Sequence, residues 1–141
     1  MNRQRETLEQ ICQKFSVAIL YSFGSRAEEV RDWVEERMQT LPSSSADIDI
    51  GIKGIPERKW SITEKVQFAG LLEEFFGYGR VDLKLLSEAD PVLAAEIIRG
   101  ERLFARDEYE ADEYDLYVLR RAGDLAPLER ERMALILGEP T

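Results

Sequence analysis

The chain has 141 residues, 44% hydrophobic and 33% charged, with a formal net charge of −9. This length and balance fit one globular domain with a hydrophobic core rather than a disordered chain, and the acidic surplus argues against broad nucleic-acid binding, which needs Lys and Arg against phosphates. There is no histidine and only one cysteine, which removes Ser-His-Asp and Cys-His nucleophile systems, histidine-bearing zinc sites and an internal disulfide.

Residues 3–15 carry Leu8, Ile11, Cys12 and Phe15 at helical spacing, which predicts a helix with Cys12 in the core. Val17-Ala18-Ile19-Leu20-Tyr21-Ser22 reads as a buried strand ending at Gly24. From Arg26 to about Gln39, Val30, Trp33, Val34 and Met38 form one stripe, predicting a second helix that the Leu41-Pro42-Ser43-Ser44-Ser45 loop ends. Residues 46–53 alternate, with Ile48, Ile50 and Ile52 on one face and Asp47 and Asp49 on the other: a half-buried strand. Ser61-Ile62-Thr63-Glu64 has the form of a capping box opening a helix to about Phe76, stopped by Gly77-Tyr78-Gly79.

Arg80 to Leu86 is a third strand, and Asp90-Pro91 opens a helix that Gly100 closes. Leu103-Phe104-Ala105 suggests a short extra strand. Residues 108–122 read as helical, with a break expected between Asp124 and Pro127 before a last helix to about Leu137. The order predicts an α/β (α+β) fold: a mixed sheet of three to four strands with helices packed on it and a helical C-terminal extension. Residues 1–106 form the expected domain and 107–141 the extension. No run nears the ~18 apolar residues of a membrane helix, and the polar N-terminus shows no signal peptide, so a cytoplasmic location is expected.

Three pieces carry chemistry. Alternation sets Asp47 and Asp49 on one face, about 6.5–7 Å apart along the strand, where they can hold Mg²⁺ against phosphates; alone, such a pair is a common solvated strand face. Gly24-Ser25 follows a strand and precedes a helix, so free N–H groups and the Ser25 hydroxyl can form an anion site, although Gly-Ser there is more often a turn. Asp82 sits mid-strand between apolar residues, a costly place for a carboxylate unless a cation or metal pairs with it. Beside the earlier strand it would join Asp47 and Asp49 and could take a proton from an attacking hydroxyl; a salt bridge to Lys84 or Arg80 is the plainer alternative. Arg26 and Lys84 could each neutralise phosphate charge or simply pair with an acid. Tyr109, Tyr114 and Tyr117 could dock a partner, but are expected to pack along the last helices.

The strings Tyr21-Ser22-Phe23-Gly24-Ser25-Arg26-Ala27, Ser45-Ala46-Asp47-Ile48-Asp49-Ile50-Gly51-Ile52 and Arg80-Val81-Asp82-Leu83-Lys84-Leu85-Leu86 resemble the minimal nucleotidyltransferases, in the polymerase-β-like superfamily. The resemblance spans roughly residues 5–106. It implies that Gly24 and Ser25 seat the triphosphate of ATP, that Asp47 and Asp49 bind Mg²⁺, and that Asp82 completes the catalytic metal site; beside these, Arg26 is a further candidate for nucleotide binding from its place after Ser25. It also implies a toxin–antitoxin setting, in which the nucleotidyltransferase transfers AMP to a tyrosine of an all-helical HEPN toxin. No membrane or direct nucleic-acid contact is expected. Two departures stand out: Glu28-Glu29-Val30 replaces the usual Arg-Gly, and 21 residues separate Ser25 from Asp47. The stripe suggests that this surplus lengthens the first helix after Ser25. Acids at a phosphate mouth keep a second reading open, a binding module that neutralises a partner by masking its surface. A small-molecule nucleotidyltransferase is a third reading, for which the chain is short.

Overall fold

The computed structural model describes residues 2–56, 59–77 and 79–137, with side chains as far as Gly123. Its strands are β1 (Val17–Phe23), β2 (Ile48–Gly54), β3 (Val81–Leu85) and β4 (Glu101–Ala105); its α-helices are α1 (Arg3–Lys14), α2 (Ala27–Val34), α3 (Ile62–Phe76), α4 (Pro91–Ile98) and α5 (Glu108–Leu137). They build the mixed sheet expected, ordered β3-β2-β1-β4. β1 is antiparallel to β2 and β4, and β2 is parallel to β3.

Alternation decides the faces. Ile48, Ile50 and Ile52 are at most 1% exposed and pack with Leu8 and Cys12 of α1, Val30 and Trp33 of α2, and Phe68 and Leu72 of α3. Burial pushes the Cys12 thiol well above its ordinary range, so it behaves as a core hydrophobe. On the opposite face, Ile19, Tyr21 and Phe23 of β1 pack against Ala95, Ile97 and Ile98 of α4 and Ala111 and Val118 of α5. β1 is buried along its whole length because helices cover both of its faces. The α5 side is also pinned by polar groups. The buried Tyr21 hydroxyl donates to Asp115, whose other oxygen accepts from Arg102 Nη2 at 2.7 Å.

Helix ends follow local chemistry. Ser61 Oγ accepts from the Glu64 N–H at 3.1 Å while Glu64 Oε1 accepts from the Ser61 N–H at 3.2 Å, completing the capping box. Gly77 ends α3 in the left-handed region at φ +97°; Tyr78, read as part of the same stop, lies outside the described residues. Asp90 caps α4, accepting from the Leu93 N–H at 2.8 Å, with Pro91 at the first helical position.

Two expectations are corrected. The stripe through Met38 does not mark a helix to Gln39. α2 stops at Val34, and Glu36 adopts φ +62°. Residues 35–47 return as irregular chain, with Leu41 only 1% exposed and Met38 packed against the same core. The spacing recorded burial, which a loop can also provide when it crosses the core. Nor does a break separate two terminal helices: α5 continues through Asp124 and Pro127 to Leu137. Proline removes one backbone donor and crowds one carbonyl, which a long helix can absorb as a kink. Residues 138–141, at the end of the expected extension, lie outside the described residues. Among the described residues, no helix is long and apolar enough to cross a membrane.

α4 seats on the sheet at one close approach. A Cβ at Gly51 would run into Ile97 Cγ2. Gly51→Ala is therefore expected to cost about 1–3 kcal/mol through overpacking, read as a lower urea midpoint. Gly70→Ala, at an exposed position of α3 with open space around it, should instead add roughly 0.5–1 kcal/mol. An unchanged midpoint for Gly51→Ala would contradict this seating of α4.

Candidate active site

The carboxylates meet because of register. β2 and β3 are parallel neighbours, and Asp49 is paired with Asp82 across them. Register partners on parallel strands point to the same face, with strands about 4.8 Å apart. This is the α4 face, because Gly51, two residues beyond Asp49, lies under Ile97. Asp47 precedes β2 by one residue and is exposed. Burial, then the charges of Asp82 and Asp47, push the Asp49 carboxyl above its ordinary range. Lys84 offsets part of this, and Glu96 of α4 adds to it.

Gly24 sits against this group. The β1–β2 pairing places Phe23 opposite Asp49, and the chain then turns through Gly24 at φ +76°. A Cβ there would collide with Asp49 Oδ2, so both the backbone angle and the approach of the carboxylate select glycine. Gly24–Arg26 form a short 3-10 turn running directly into α2, and neither start carries a side-chain cap. Uncapped amides at a helix start, with the exposed Ser25 beside them, suit an anion. They open on a cleft of about 460 Å³ lined by Gly24, Ser25, Glu28, Glu96, Arg99 and Glu101.

Arg26 is not brought to this mouth. It is 4% exposed; its guanidinium pairs with Glu29 and donates to the carbonyls of Pro42 and, at 3.3 Å, Ala46. It holds the irregular 35–47 segment where that segment delivers Asp47 to β2. Lys84 Nζ lies 3.6 Å from Asp82 Oδ1, a partly exposed pair. Tyr114 is partly buried against the α4–α5 core, while Tyr109 and Tyr117 are 75% and 53% exposed, so the tyrosines do not form a single packed row.

The sequence reading missed Glu96 and Arg99. The available signal was the polar stripe of α4, Glu96 and Arg99 three apart on the side away from buried Ala94, Ala95, Ile97 and Ile98. Arg99 is exposed and has no carboxylate within ion-pair distance among the described residues.

The donor chemistry suits Mg²⁺: carboxylate oxygens on one face and no soft ligand. Among the described residues, however, no three acidic or thiol side chains stand close enough to hold an ion between them. Carboxylates with no cation between them repel, and Lys84 draws on Asp82. The set therefore offers the ion's donor type, with Asp49 and Asp82 on one strand face, but not three ligands converged on one point among the described residues. One consequence concerns stability. A carboxyl whose folded pKa is raised stabilises the fold in its protonated form and loses that contribution as pH rises through the raised pKa. Asp49→Asn is thus expected to melt above the parent at pH 7 in metal-free buffer. The gap should close below about pH 4, where both side chains are neutral; a lower melting temperature at pH 7 would contradict the strain assigned to Asp49.

The sequence matches the polymerase beta nucleotidyltransferase family over residues 6–109, well over half the chain. No curated protein matches it. Among solved structures, the fold resembles a chain of a toxin–antitoxin complex with AMP-PNP, at 18% identity, TM-score 0.64 and 94% coverage of each chain. It also resembles a chain of the tri-AMPylated Shewanella oneidensis HEPN toxin in complex with MNT antitoxin, at 17% identity, TM-score 0.62 and 96% coverage of each. A chain of the toxin–antitoxin MntA-HepT is similar at 16% identity and TM-score 0.62, again covering 96% of both. At these identities the likeness establishes the fold, while the sequence match over 6–109 establishes descent: the chain belongs to the polymerase beta nucleotidyltransferase family.

Proposed function

We propose that this chain is an Mg²⁺-dependent nucleotidyltransferase that moves AMP from ATP to a tyrosine of a HEPN-type toxin, acting in the cytoplasm as its antitoxin. The observation that carries the reading is the register of Asp49 and Asp82 beside the Gly24 turn. The antitoxin role rests on the similar solved complexes, which contain a HEPN toxin or AMP-PNP.

In this reading the tyrosine oxygen bonds to the α-phosphorus, the bond from that phosphorus to the pyrophosphate oxygen breaks, and the hydroxyl proton passes to Asp82. Ser25 and the uncapped amides at the start of α2 hold the β- and γ-phosphates. Glu28 and Glu101 line the same cleft and would repel them, and Arg99 across the cleft supplies an opposing positive charge. Mg²⁺ held by Asp47, Asp49 and Asp82 would neutralise the phosphates and stabilise the departing pyrophosphate. Arg26 acts at one remove, by fixing the segment that carries Asp47. Transfer of this kind rests on positioning and charge neutralisation.

A second reading, a binding module that masks its partner, draws on the acids at the mouth. It predicts toxin neutralisation that survives Asp82→Ala.

For the enzyme reading, Asp47→Ala with Asp49→Ala should leave the fold intact and abolish Mg²⁺-dependent transfer of label from α-labelled ATP. Undiminished transfer by this variant would end the mechanism. Arg99→Gln should raise the KM for ATP by about tenfold, the loss of one charge-assisted contact, with a smaller effect on kcat. An unchanged KM would remove Arg99 from the phosphate site.

A further inference from the structure

A larger cleft, about 690 Å³, lies beyond the far end of β2. Lys53 is four residues along the strand from Asp49, on the same face and about 13 Å away. α4 crosses between them, with Ile97 over Gly51, so the two clefts are separate. Lys53 Nζ stands 5.1 Å from the centroid of the Tyr114 ring, and the Arg121 guanidinium lies 5.7 Å from that of Tyr117. Lys59, exposed on the segment after β2, lines the same space.

Unpaired cations gather at this cleft; Arg3, Lys14, Arg80, Arg99 and Arg120 also lack a carboxylate partner among the described residues, but none of them lines it. Arg26, Arg31, Arg37, Lys65, Lys84, Arg102 and Arg106 each have a carboxylate partner. Lys53, Lys59 and Arg121 have none within ion-pair distance among the described residues. Among the described residues the one carboxylate lining the cleft, Glu88, is held by Lys65 at 2.9 Å. Three cations thus converge from β2, the following segment and α5, two of them held over ring faces, which fixes a positive head without neutralising it.

We propose that this cleft binds an oligophosphate, a linear chain of two or more phosphate groups, either free or carried by a nucleoside, and binds it without a metal ion. A ligand meeting cations on three elements carries several anionic groups in series. An acidic peptide does so too, but its backbone donors and acceptors would face Ile55, Leu85, Leu86 and tyrosine rings. The volume suits a small molecule. With cations in place of a metal, binding persists in chelator, unlike that expected at the Asp49–Asp82 site.

The test uses the full chain carrying Asp47→Ala and Asp49→Ala, titrated with ATP and with tripolyphosphate in EDTA. Binding of either is expected, weakening at higher salt; binding of ATP alone would assign the source to the nucleoside form. Adding Lys53→Gln and Arg121→Gln should weaken it about tenfold or more, while Lys53→Arg retains it and far-UV circular dichroism stays unchanged. Absence of binding by both probes would overturn the site. So would affinity indifferent to the Gln substitutions, or capture of a polyglutamate peptide with neither phosphate probe bound. None of these outcomes depends on nucleotidyl transfer.

Discussion

Asp49 and Asp82 stand side by side on parallel strands, with the turn at Gly24 against one of them. Two carboxylates held in that relation repel, and Asp49 is also partly withdrawn from water, so its carboxyl is pushed up. A fold optimised only for stability would place an amide or an apolar group there. The surrounding structure holds the acids in place instead. Helices cover β1 on both faces and Gly51 admits α4, whose Glu96 and Arg99 complete the mouth. A divalent cation between the acids would turn the repulsion into binding energy, the same linkage between charge and stability read in the opposite direction.

Position in this site is determined from several directions. The β2–β3 register sets the two acids, the β1–β2 register sets Gly24, and Arg26 sets the approach of Asp47 from the 35–47 segment. Arg26 shows why a motif residue and its role can part company. It follows Gly-Ser as expected, yet its guanidinium is buried against Glu29 and two carbonyls, because the long return segment needs a brace. The unpaired cation that lines the cleft among the described residues is Arg99, 73 residues later in the chain.

Much of this was legible in the sequence because it depends on near neighbours. The Ile48/Ile50/Ile52 alternation, the Ser61–Glu64 box and the Asp90-Pro91 opening are short-range patterns with direct structural meaning, and each element they predicted is present. Placing Asp49 and Asp82 on one face followed from period two plus the assumption that two strands adjoin, whereas Asp47 falls one residue short of β2. What stayed hidden depends on distant contacts. Leu41 is buried and Met38 partly buried without a helix because the chain crosses the core; Glu36 in the left-handed region marks the end of α2 and carries no compositional signal. Pro127 read as a stop although the helix carries on, and Arg99 gains meaning only because the Gly24–Ser25 turn and the end of α4 share a cleft.

The central claim is that the three acids and the Gly24–Ser25 turn form one metal–nucleotide site. The most direct measurement is a crystal structure with Mn²⁺ and a non-hydrolysable ATP analogue, using the anomalous signal to locate the ion. The account predicts Mn²⁺ bound by Asp49 and Asp82, with Asp47 drawn in and the phosphates against Ser25 and the start of α2. A nucleotide held elsewhere, with the three carboxylates free of metal at saturating Mn²⁺, would contradict it.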